Sequence, residues 1–131
     1  MTLFEIVGLY TALNILLLIT LSFRVGQVRL RKKINLGDGG NDKMYRRIRA
    51  QGNYTEYAPL SLIGLFAMAS LSAMPIALHV TGCAFLLGRI LHAVGMEAPK
   101  ASGKGRLIGM VLTMLTLLGQ AGTILFLIFS A

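Results

Sequence analysis

Acidic residues are scarce in this chain. Five Asp and Glu stand against 13 Lys and Arg, leaving a formal net charge of +8. Such an excess suits either nucleic acid or a membrane surface. Here the cations flank apolar runs instead of covering a polar fold, so membrane topology accounts for them and a nucleic acid partner is not expected. Cysteine is almost absent: Cys83 stands alone inside an apolar run, so no intrachain disulfide can form and no thiolate metal cluster can rest on it. Charge of either sign is thin, at 14% of residues, while 55% are hydrophobic and the mean hydropathy is +0.70. A soluble domain of 131 residues cannot hide that much apolar surface, which makes an integral membrane protein the expectation. The opening MTLFEIVGLY lacks a basic region, so no cleaved signal peptide is expected and the first apolar segment should remain in the mature protein.

What is present is a set of long uncharged runs. Residues 3–23 are broken only by Glu5 and Asn14. Asn14 would lie near mid-membrane, where an interhelical hydrogen bond is the bland reading and a ligand contact the sharp one. Residues 57–88 carry no formal charge. One helix of that length would reach about 48 Å, against an apolar core of about 30 Å. The run must therefore fold back, and residues 72–75 offer the turn, with Pro75 in the first turn of the next helix. Residues 107–131 form another uncharged run. The expected fold is all-α: a single domain over residues 1–131, an antiparallel four-helix membrane bundle with spans near 3–23, 57–73, 75–94 and 107–130.

The connections are legible too. GQVRLRKK at 26–33 should carry the first helix out of the membrane, serving as a topology signal and an anionic lipid contact. Gly37, Gly39 and Gly40 mark a loop, after which Asn41 or Asp42 caps the second helix. Pro59 removes a helical hydrogen bond near Thr55 and permits a kink beside Glu56. A third loop should cover 95–105, with Pro99, Gly103 and Gly105, and the Gly105–Gly109 pair hints at close helix packing. Nine of the 13 Lys and Arg fall within 24–49 and the other four within 89–106; the turn at 72–75 and both ends hold none. Basic loops stay in the cytoplasm, so both loops should be cytoplasmic and both termini non-cytoplasmic.

The chemistry is concentrated in RRIRAQGNYTEYAP, residues 46–59. On a helix Arg49, Asn53 and Glu56 fall within about 60° of arc. A cation, an amide and a carboxylate on one face suit a zwitterionic ligand with anionic ends; a helix end pairing its own charges is the bland alternative. Counting from the turn at 1.5 Å per residue, Glu56 and His92 both lie about 27 Å up, Asn53 about 31 Å and Arg89 about 22 Å. Arg89 is thus inside a span, which marks it as a binding candidate with Glu56 as its partner, or as half of a structural ion pair. His79 falls on the opposite side from His92 and reads as a satisfied structural residue, so no metal site is expected.

These residues resemble the MAPEG family, the membrane-associated proteins in eicosanoid and glutathione metabolism. The family's second-helix signature Arg-x-x-x-Asn-x-x-Glu appears as Arg49, Asn53 and Glu56, followed by Tyr57-x-Pro59. GQVRLRKK and GRILH (88–92) resemble the corresponding parts of helices one and three in the family's prostaglandin-synthase members. The resemblance implies a homotrimer that binds glutathione between subunits near the cytoplasmic face. Arg29, Arg49, Asn53, Glu56 and His92 would hold the tripeptide, and Arg106 would sit by its sulfur as the catalytic residue. The activity implied is a glutathione transferase, with or without peroxidase activity, acting on a lipophilic small molecule drawn from the membrane lipid.

The chain departs from that pattern at Met96 and Met110, where the synthase members have Tyr, and at Leu107, where they have Ser; Gly52 replaces a position that can be basic. These losses favour a non-catalytic lipid-binding or scaffold member, whereas Arg106 favours an enzyme. A small four-helix transporter ranks last, because the first helix offers only Glu5, at its extreme end.

Overall fold

The computed structural model describes residues 1–98 and 103–130. Four helices follow in order: α1 (Leu3–Lys32), α2 (Asp42–Ser70), α3 (Pro75–Met96) and α4 (Lys104–Phe129), with no strand among the described residues. Pro99, assigned to the third loop, lies outside the described residues.

The helix ends follow from local chemistry. Glu5 is part of a capping box rather than a gap in an apolar run: its backbone N–H donates to Thr2 Oγ1 (3.2 Å) and its carboxylate accepts from Thr2 N (2.7 Å). α1 runs 30 residues, about 45 Å, so the basic segment is indeed helical and outlasts an apolar core. It stops at Lys33, in the left-handed region at φ 53°. Gly37, Gly39 and Gly40 all take positive φ in the loop that follows. Asn41 then caps α2 through Met44 N–H (3.0 Å). α2 continues through Pro59 to Ser70 as one helix. Leu71–Met74 form the turn, and Pro75 opens α3.

α1, α3 and α4 are each long and apolar enough to cross a membrane. α2 is mixed, since its first half carries Arg46, Arg47, Arg49 and Glu56, yet it packs against all three others. Near the turn, Ile6 and Tyr10 of α1 meet Leu65 and Met68 of α2 and Leu78 of α3. Toward the basic end, Leu21, Tyr54 and Phe85 fill the same role, followed by Val25, Val28 and Met44. These pairings run α1, α2 and α3 antiparallel in turn, and the contacts of Gly88 with Gly109 and of Gly95 with Arg106 do the same for α3 and α4.

The buried polar groups stitch helices together. Asn14 Nδ2 donates to Tyr10 O within α1 (2.8 Å), while Tyr54 Oη of α2 donates to Asn14 O (2.8 Å) and to its side-chain Oδ1 (3.2 Å), so Asn14 takes the interhelical role. Gln120 of α4 donates to Ser61 O of α2 (3.1 Å). Tyr10 Oη lies 3.1 Å from both His79 Nδ1 and His79 O, which gives His79 its structural partner.

The α3–α4 seam is built on glycine. A Cβ on Gly95 would overlap the Arg106 backbone, and one on Gly109 would overlap the Gly88 carbonyl. The Gly105–Gly109 pair therefore marks a close crossing, and that crossing sets Arg106 beside His92.

Candidate functional site

A cavity of about 290 Å³ lies at the basic end of the bundle. Three helices line it, each with residues one turn apart. α2 supplies Tyr45, Arg49 and Asn53, with Arg46 beside them; α3 supplies His92 and Met96; α4 supplies Arg106 and Met110. Positions i, i+4 and i+8 drift only slowly around a helix, so each set forms one wall. Four expected residues, Arg49, Asn53, His92 and Arg106, thus meet in one space.

Arg89 stands behind that wall, 1% exposed. Its Nη1 donates to Asn53 Oδ1 (2.7 Å) and its Nη2 to Gly109 O (3.4 Å). The guanidinium carbon lies 5.4 Å from the Tyr57 ring centroid, within cation–π range. With the Asn53 oxygen occupied, its amide N–H₂ is what remains for a ligand. None of the lining residues is a carboxylate. The cavity therefore presents donors and positive charge, a setting for carboxylate groups.

Glu56 does not meet Arg89. It is three residues from Asn53, which turns it to the outside of α2, where it lies 3.9 Å from Arg49 with both side chains about half exposed. Asn53, one turn nearer the basic end, faces inward instead and takes the arginine. Arg29 is also elsewhere. Its Nη1 donates to the carbonyls of Ile34, Asn35 and Gly37 (3.5, 3.4 and 3.2 Å), clasping the loop before α2. Neither Glu56 nor Arg29 lines the cavity.

Met96 and Met110 are both wall residues, so the two exchanges for tyrosine change the cavity itself. Leu107 is 68% exposed and outside it. Two further wall residues were not among the expected site residues, Arg46 and, outside the motif altogether, Tyr45. For Tyr45 its spacing of four from Arg49, and of four again to Asn53, was the available signal.

The sequence model of the MAPEG family matches residues 7–126. The chain is similar to the inner membrane protein YecN of Escherichia coli K12, at 33% identity over 90 residues, which is 69% of each chain. The same figures hold for YecN of Escherichia coli O6:H1 strain CFT073. No solved structure matches the chain. Three apolar spans, the inner-membrane relatives and a family match over nearly the whole length agree: this is a multi-pass integral membrane protein, and it belongs to the MAPEG family.

Proposed function

We propose that the protein is a membrane-bound glutathione transferase, working as a homotrimer with its site near the cytoplasmic face. The observation that carries this reading is the convergence of Arg49, Asn53, His92 and Arg106 on one donor-lined cavity. Glutathione at neutral pH has two carboxylates and one ammonium. Arg49 and the Asn53 amide suit the carboxylates, with Arg89 holding Asn53 in place. Glu56, half exposed on the outer face of α2, is a carboxylate for the ammonium where a neighbouring subunit closes the site; Arg29 belongs to the same outer set.

Arg106 acts on the sulfur. A free thiol has a pKa of about 8.5 and is mostly protonated at neutral pH. A guanidinium alongside favours the thiolate, each unit of lowering corresponding to about 1.4 kcal/mol. The thiolate then attacks an apolar electrophile delivered by the lipid: the carbon–sulfur bond forms and the leaving group departs with its electron pair. A hydroperoxide substrate would turn the same thiolate to peroxidase work. Met96 and Met110 in the cavity wall favour a second reading, a non-catalytic member that binds lipid or a glutathione conjugate.

Glutathione binding to detergent-purified protein, with the ultraviolet absorbance of the thiolate, decides between them. Binding with a thiolate band that is lost in Arg106→Ala is the expected result. Binding without thiolate supports the non-catalytic reading. No binding by folded protein overturns both glutathione readings.

A further inference from the structure

A second cavity, of about 170 Å³, lies where the last turns of α1 pass the start of α2. It shares no residue with the first. Arg31 and Lys32 line it from α1, Lys43 and Arg47 from α2, and Gln27, Val28 and Asn41 complete it. The spacing is again helical: Gln27 and Arg31 are one turn apart, as are Lys43 and Arg47.

We infer that this cleft binds the phosphodiester of an anionic phospholipid. Four cations face a space large enough for a phosphate. The N-terminus of the 29-residue α2 opens onto it, adding a partial positive charge. The nearby carboxylates neutralise the set only in part. Glu97 is already shared between Arg24 and Arg47, the latter at 3.0 Å. Asp38 accepts from Gly40 N (2.9 Å), and Asp42 sits exposed in the first turn of α2. Arg47 is held in place, its Nε on Glu97 and its Nη1 on the Arg24 carbonyl (2.7 Å), which leaves Nη2 for a ligand.

Depth and surroundings select a lipid over a free phosphate. About 20 residues of α1 fill the apolar core, so counting from Leu3 the helix emerges near Phe23. Gln27 and Arg31 then lie about 6 and 12 Å beyond, at the level of the headgroups and just above it. Leu30, 83% exposed, lies between these two residues in level, about 10 Å beyond the core, and puts an apolar side chain among the headgroups. Basic pockets between helices at this level recognise anionic headgroups.

The test is the affinity of the full chain, in phosphatidylcholine nanodiscs, for added phosphatidylglycerol. Arg31→Gln with Lys43→Gln removes two exposed charges from the cleft and should weaken binding about 30-fold. Lys33→Gln with Lys104→Gln removes the same charge elsewhere and should change it less than about threefold. Glutathione binding should be unchanged in both, which separates this site from the transferase cavity. Equal losses in the two double variants would overturn the cleft and leave only diffuse attraction. Displacement of the lipid by glycerol phosphate at equal concentration would overturn the lipid assignment in favour of a free phosphate.

Discussion

Arg89 shows how much a single residue can be asked to do. It is almost fully buried, and its charge is met by one amide oxygen, one carbonyl and one ring face. Its Nε has no partner among the described residues. Removing a neighbour of a buried charge costs more than removing the charge together with that neighbour. Asn53→Leu should therefore destabilise the protein by about 2–3 kcal/mol, while Asn53→Leu with Arg89→Leu should recover part of that loss. Thermal unfolding in detergent, followed by far-ultraviolet circular dichroism, measures both. A double variant less stable than Asn53→Leu alone would show that Arg89 is held mainly by Gly109 and Tyr57. Counting residues places Arg89 well inside the third helix, and α3 runs unbroken past it, with the side chain buried. Its partner was not legible. Asn53 and Glu56 share a helical stripe in projection, and only the packing of α2 on α3 decides which edge turns inward. Tyr45 escaped for a related reason: it lies outside the signature, and only the cavity makes it a wall residue.

At the scale of the element, the α3–α4 seam determines whether the site exists. Local signals carried much of it. Pro75 could be read as a helix start and Asn41 as a cap, because those roles depend on a residue's own backbone chemistry. Gly105 and Gly109 could be read as a small-residue pair; what they pack against, Gly88 and Gly95, emerged only with the fold. A methyl at Gly109 would stand 2.5 Å from His92 N, so the helices must separate. Gly109→Ala should cost about 1–3 kcal/mol and weaken glutathione binding as well, because separation moves His92 and Arg106 apart. Gly119 lies on the same helix with nothing within 4 Å of an added Cβ, so Gly119→Ala should be neutral or slightly stabilising. Binding isotherms with unfolding curves for the two variants check this. Unaltered binding in a destabilised Gly109→Ala would mean that the cavity does not depend on the seam.

For the whole molecule, the distribution of charge sets the orientation. The basic loop after α1 and the basic start of α4 share one end of the bundle, while the turn between α2 and α3 has no Lys or Arg. The positive-inside bias predicts that this turn and both termini face away from the cytoplasm and that both cavities face it. That orientation would put the proposed transferase site where cytoplasmic glutathione can enter and the proposed phospholipid cleft in the inner leaflet. A single native cysteine makes the arrangement straightforward to test. In a Cys83→Ser background, Ser72→Cys should react with a membrane-impermeant maleimide added to intact spheroplasts. Asn35→Cys, in the exposed loop after α1, should react only after the membrane is broken. Ser72 has a left-handed φ of 57°, so a second probe at Met74, 70% exposed in the same turn, is paired with it and should label in the same way. The reverse pattern would put the transferase cavity on the far side from cytoplasmic glutathione. The transferase reading would then fail on topology even if Arg106 proved able to form a thiolate.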